Sequence, residues 1–155
     1  MVCRWVNFFE RRVMQVNEAG INLIKKFKGL HLRAYEYLPG IWEIGYGHTR
    51  TAKPGQIITE AEADRLLRED LRVFEQGVLG ALDGAPTTEN QFSAMVSLAF
   101  NFGLGAFYWS KILALHKEGR TAEAARAFTE FQNPTGKIPP ELIRRREAEA
   151  RLYLT

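Results

Sequence analysis

The chain has 155 residues, 46% hydrophobic and 25% charged, which suits one folded domain with a sizeable core. Those values exclude a disordered, collagenous or membrane-spanning chain. A net charge of +3 with a pI near 9.1 favours an anionic partner only mildly and is too small an excess to name one.

Residues 1–16 read as an N-terminal extension and residues 17–155 as the domain. The start is apolar in places, but Arg4, Glu10, Arg11 and Arg12 interrupt it, and nothing approaches the ~20 apolar residues of a membrane helix. No small-residue cleavage site follows, so neither a signal peptide nor a transmembrane segment is expected, and the sequence leaves the localisation unknown. An amphipathic helix that docks on a partner or a bilayer is the functional reading of this stretch. Met14 offers an internal start. Cys3, the only cysteine, rules out an intrachain disulfide and a site with several thiolates, and it reads as a bystander near the terminus. No metal site and no cofactor are expected.

Asn17 can cap a first helix that places Ala19, Leu23, Ile24 and Phe27 on one face, with Gly29 ending it. From Leu30 to Thr49 aromatic and β-branched residues alternate with Pro39, Gly40, Gly45 and Gly47, which predicts a small twisted hairpin region. Thr59 with Glu62, and Thr88 with Gln91, form capping boxes for two further helices. The first of these carries Ala63, Leu66, Leu67, Leu71, Phe74 and Val78 at helical spacing. The second carries Phe92, Met95, Val96, Ala99 and Phe102, and Gly103 and Gly105 stop it. A helix from about Phe107 to Lys117 is predicted next, then one capped by Thr121 that buries Ala124, Ala125, Phe128 and Phe131. Asn133 to Gly136 reads as a turn. Pro140 suits the first turn of a last helix bearing Leu142, Ile143, Leu152 and Tyr153. One helix, a small sheet and a longer helical run make an α+β domain of two lobes, with a cleft where they face.

Lys28 to Tyr35 and Trp42 to Thr49, with the turn Gly45-Tyr46-Gly47-His48-Thr49, resemble the phage-type lysozymes, glycoside hydrolase family twenty-four. The similarity continues through Gln91-Phe92, Ser97 to Gly103 and Leu142 to Glu149, all in the family's order and spacing. It implies a mostly helical, lysozyme-like fold with a small β-sheet lobe and a helical lobe. It also implies a relation to endolysins, which cut the glycan strands of peptidoglycan, commonly to release phage from bacteria.

The resemblance further implies a catalytic set. The family has a glutamate at the end of the first helix, an aspartate nine residues on and a threonine six further. Those positions hold Lys28, Tyr37 and Glu43 here, with the spacing intact. Glycoside hydrolysis needs one carboxylic acid to protonate the leaving oxygen and a second group to manage water on the opposite ring face. An ammonium at Lys28 would repel the developing positive charge, and a phenol activates water poorly at neutral pH. Glu43 is the serious candidate as base or nucleophile, while strand alternation points Glu36 to the opposite face. General acid–base catalysis contributes roughly 10²–10⁴-fold. The expected function is therefore a lysozyme-fold pseudoenzyme that binds peptidoglycan or a protein partner. The alternative is an active muramidase with a rearranged set using Glu43.

Other cleft or binding candidates are His48, Asn101, Glu141, Arg144 and Arg145. The family places an arginine of the last helix near its catalytic glutamate, which Arg144 or Arg145 would match. A lysine facing that arginine is like against like unless Glu43 or Glu141 sits between them. One reading is a Lys28–Glu43 ion pair across the old active site, and the other is two solvated charges. His48 reads as a hydrogen-bonding turn residue, because His31 and His116 lie elsewhere in sequence. Trp42, Phe107 and Phe131 read as packing residues, and Trp109 as either packing or a sugar platform. Arg144, Arg145 and Arg146 cannot share one helical face, so some are structural. No nucleic-acid motif is present and no such partner is expected.

Overall fold

The computed structural model describes residues 14–131 and 138–155. Most of the N-terminal extension, with Cys3, and the turn expected at Asn133 to Gly136 lie outside the described residues. The order is α1 (Glu18–Lys28), β1 (His31–Leu38), β2 (Ile41–Gly45), α2 (Glu60–Leu82), α3 (Glu89–Phe102), α4 (Leu104–Tyr108), α5 (Lys111–Lys117), α6 (Thr121–Glu130) and α7 (Pro140–Leu154). This is the expected mostly helical α+β arrangement. No helix among the described residues is long and apolar enough to cross a membrane.

Local chemistry sets the helix starts. Asn17 accepts from the Gly20 backbone at 3.0 Å, and both capping boxes are closed, Thr59 with Glu62 and Thr88 with Gln91. Helix α3 is buried on every side from Phe92 to Ala99, the pattern of a central helix. Helices α1, α2 and α7 pack around it. The approach of α1 is close: a Cβ added to Gly20 would stand 2.7 Å from the Ser93 Cβ, so only glycine fits. Ser93 Oγ meanwhile accepts from the Asn17 backbone N–H at 3.0 Å.

The two strands pair antiparallel, with Tyr35 opposite Glu43 and Leu38 opposite Ile41. Their apolar face is a small second core of Ala34, Ile44 and Leu66, against which Trp42, Ala52 and Ile58 pack. The returning loop ties the hairpin down through Ala34 N–H to Gln56 O at 3.0 Å and Ile58 N–H to Leu32 O at 2.9 Å. The small lobe is thus fixed to α2 through Leu66, and the opposite face of the hairpin is left to line a cleft.

Three local expectations are corrected. The helix expected from Phe107 to Lys117 is two helices, α4 and α5. Ser110 breaks it by accepting from Leu113 N at 3.3 Å and donating to Phe107 O at 2.7 Å. Gly105 lies inside α4; Gly103, at φ 93°, makes the break after α3. Thr121 is the first residue of α6 and Arg120 its cap. The buried face of α7 combines charged and apolar residues: Arg145, Arg146 and Glu149 are buried beside Ala150 and Tyr153, while Ile143 is exposed. Phe107 and Trp42 pack as expected, whereas Trp109 is 93% exposed.

Candidate functional site

A cleft of about 740 Å³ opens between the hairpin and the start of α7. Tyr35, Tyr37, Leu38, Ile41 and Glu43 line it from the hairpin, and Pro139, Glu141, Leu142 and Arg145 from the α7 side. Phe27 and Lys28 at the end of α1, Gly47 and Asn101 lie between those walls. A smaller groove of about 440 Å³ beside Met14 has Asp83 as its one ionisable lining residue. Chemistry therefore concentrates in the larger cleft. Among the described residues no cluster of His, Cys, Asp and Glu could hold a metal ion.

Six of the residues expected at the site converge there: Lys28, Tyr37, Glu43, Asn101, Glu141 and Arg145. Two do not. His48 is buried in the turn behind the cleft, where Nδ1 meets Asp70 at 2.8 Å and Nε2 meets Thr51 Oγ1 at 2.7 Å. Arg144 is exposed on α7 and lies outside the lining. A helix turns about 100° per residue, so Arg145 points inward and Arg144 outward.

The Lys28–Glu43 ion pair is absent. No described carboxylate lies within 4.0 Å of the Lys28 ammonium. Glu43 Oε1 instead accepts from the Tyr35 hydroxyl at 3.1 Å, a bond made possible because the two residues face each other across the hairpin register. Lys28 Nζ stands 4.9 Å from the centre of the Phe100 ring. Burial lowers the pKa of Lys28, and Arg145 lowers it further; the pull of Glu43 and Asp70 is smaller. Lys28 therefore shares the cleft with an arginine whose charge acts on it more strongly than that of any carboxylate. On the same wall, burial first and then the Glu43 hydrogen bond raise the Tyr35 pKa.

Arg145 is held by a network that sequence reasoning missed. Glu149, fully buried, receives Ser97 Oγ at 2.6 Å, Arg146 Nη2 at 2.9 Å and Arg145 Nε at 3.3 Å. Arg146 Nε lies 2.8 Å from Glu149 Oε2, close enough for an ion pair but poorly aligned for a hydrogen bond. Burial raises the Glu149 pKa and brings that of Arg146 to about 10, and the opposite charges pull each back. Two guanidiniums and a hydroxyl converging on one carboxyl suit an ionised group. The network reaches the cleft twice, through Arg145 and through Arg146 Nη2, which donates to Asn101 Oδ1 at 3.0 Å. The spacing of Arg145 and Arg146 to Glu149, four and three residues, was a readable signal for contacts along α7.

The profile of the Phage lysozyme family matches residues 25–149. The endolysin of Bacillus phage PZA is 46% identical over 143 residues, 90% of this chain and 55% of that protein, so the chain spans about half the length of this relative. The endolysin of Acyrthosiphon pisum secondary endosymbiont phage 1 is 38% identical over 144 residues, 90% of this chain and 98% of that one. The solved muramidase domain of SpmX from Asticaccaulis excentricus superposes with a TM-score of 0.82 at 41% identity, covering 91% of this chain and 98% of that one. With its fold, its sequence blocks and its cleft all in accord, the chain belongs to the phage lysozyme family.

Proposed function

We propose that this is a lysozyme-fold protein that binds the glycan strands of peptidoglycan in its cleft without hydrolysing them. The observation that carries the reading is Lys28. Where the family resemblance expects the acid that protonates the leaving oxygen, the cleft presents a cation facing a second cation, Arg145. Only two carboxylates line the cleft among the described residues. Glu43 is engaged by Tyr35, and Glu141 is exposed at the first turn of α7. Retaining and inverting mechanisms both require a carboxylic acid set against a second carboxylate across the scissile bond. Relatives named as endolysins, and a solved muramidase domain, support a peptidoglycan ligand.

One feature favours a protein as a second occupant. Tyr37, Leu38 and Ile41 leave an apolar lip at the hairpin tip, 58%, 51% and 44% exposed.

Two measurements on purified peptidoglycan test the reading: co-sedimentation and release of soluble fragments. Retention without release is expected. Release that disappears in Glu43→Gln would replace this reading with an active muramidase built on Glu43. Absence of retention would remove peptidoglycan as the ligand.

A further inference from the structure

Two hydrogen-bond donors in the cleft have no partner among the described residues, and both carry positive charge. Lys28 Nζ donates to no described side chain or backbone oxygen and has no carboxylate within 4.0 Å. Arg145 uses Nε toward Glu149 and Nη2 toward the Ser97 carbonyl, both at 3.3 Å, which leaves Nη1 over. Unlike two nitrogens of Arg146, that atom is not among the buried, unmatched ones, so it retains access to water. Both side chains line the same cleft, one from the end of α1 and one from α7.

Two cations that line one cleft repel each other; Lys28, partly buried, has no paired carboxylate, and Arg145 shares its one partner, Glu149, with Arg146. The one anionic group near Lys28 on the cleft wall is Glu43, whose pull on the lysine is weaker than the push from Arg145. An anion placed between Lys28 and Arg145 would gain two charge-assisted hydrogen bonds and relieve that repulsion. The free edge of a planar guanidinium and a compact ammonium suit a carboxylate, which presents two oxygens with acceptor sites on either side.

We propose that the cleft contains a carboxylate-recognition subsite, in which Lys28 Nζ and the free Nη1 edge of Arg145 together bind one carboxylate of an anionic glycan strand. The assignment rests on the peptidoglycan-binding reading and specifies which part of the strand is read. The carboxylate has two sources on such a strand: the acid substituent of the sugar itself, or the peptide attached to it. On this account Lys28 selects acidic over neutral amino sugars instead of protonating a leaving group.

Calorimetric titration with three probes tests this. The first is a neutral N-acetylglucosamine tetrasaccharide. The second is a tetrasaccharide alternating N-acetylglucosamine with N-acetylmuramic acid, free of peptide, and the third is the same oligomer bearing its peptides. The acidic oligomers are expected to bind about tenfold more tightly than the neutral one, the size of one charged hydrogen bond, with the preference shrinking at high salt. Equal gain from the second and third probes assigns the sugar acid; a gain from the third alone assigns the peptide. Lys28→Met should abolish the preference and Lys28→Arg should retain it, with circular dichroism and thermal melting confirming that both variants fold. Equal binding of neutral and acidic probes, or a preference that survives Lys28→Met, overturns the subsite while leaving glycan binding intact. Failure of all three probes to bind overturns the peptidoglycan reading itself and the subsite with it.

Discussion

Lys28 and Glu43 border the same glycine without touching each other. A methyl group added to Gly47 would stand 3.4 Å from Lys28 Nζ and 3.5 Å from Glu43 Oε1, so the two charged atoms flank a space about the size of that one group. The carboxylate turns to Tyr35 and the ammonium to the face of Phe100. Because the pair is not formed, breaking it should cost little. Lys28→Met keeps most of the side-chain volume, loses the ammonium over Phe100 and relieves the repulsion from Arg145, so its effect is expected within about 1 kcal/mol of neutral. A double-mutant cycle with Glu43→Leu should give a coupling below about 0.5 kcal/mol in urea unfolding. A coupling of several times that size would mean that the two charges pair in solution.

Much of the fold was legible because its signals are local. The capping boxes at Thr59 and Thr88, the Asn17 cap and Pro140 at the start of α7 each involve residues within one helical turn. The cleft residues of the hairpin follow from strand alternation, which places Tyr35, Tyr37 and Glu43 together and leaves Glu36 to accept from the Gly40 backbone instead. What was not legible depends on distant partners. Nothing near Glu149 announces that Ser97, fifty-two residues away, will meet it in the core, or that Asp70 will meet His48 across twenty-two. The charged buried face of α7 was hidden for the same reason: α3 presents Ser97 and Asn101 to it, and charged residues satisfy them. The Lys28–Glu43 pairing was open on sequence because Tyr35, the competing partner, is set by the exact register of two strands.

The buried charges on α7 predict a large stability effect. In Glu149→Gln two guanidiniums, 4% and 2% exposed, lose their shared counter-charge. Removing one member of a buried ion pair typically costs ~3–5 kcal/mol, because the charge left behind is unmatched. Arg146 already has two nitrogens, Nε and Nη1, without a hydrogen-bond partner, and Nε would then lose its ion-pair contact as well. Urea unfolding of this variant should show a loss in that range. A loss under about 1 kcal/mol would mean that water enters and solvates the arginines.

A pH dependence follows from His116. The Thr87 hydroxyl donates to Ala85 O at 2.8 Å, so toward His116 Nε2, also at 2.8 Å, it accepts. The ring proton therefore sits on Nε2, and Nδ1 accepts from Tyr153, whose own pKa burial pushes up to about 12. Burial lowers the His116 pKa below its ordinary 6.5. Between that lowered value and 6.5 the unfolded chain binds more protons than the folded one, so stability is full above 6.5 and falls as the pH drops through the window. Unfolding free energy measured from neutral to mildly acidic pH should decline more steeply in the native protein than in His116→Phe. Identical slopes would remove His116 as the source.

The strongest test of the functional reading is to give the cleft the residues that the family resemblance expects. In the variant Lys28→Glu, Tyr37→Asp and Glu43→Thr, a carboxylate at position 28 would face Arg145, whose Nη1 has no partner among the described residues, and repulsion across the cleft would become attraction. Aspartate at 37 would stand on the cleft-facing side of β1, where Tyr37 already lines the space, and would supply a carboxylate to work with the one at position 28. Threonine at 43 would leave the Tyr35 hydroxyl without its carboxylate acceptor. On the binding-only reading the native chain releases no soluble fragments from purified peptidoglycan, and if those three positions alone set that outcome, the variant should release them. A gain of roughly 10²-fold or more over the native rate is expected, the least that a restored acid–base pair contributes. Thermal melting must first show that it folds. A folded variant that stays inactive would place the obstacle elsewhere on the cleft wall. The next change would then be Glu141→Gly, which removes the exposed carboxylate that lines the cleft from the start of α7.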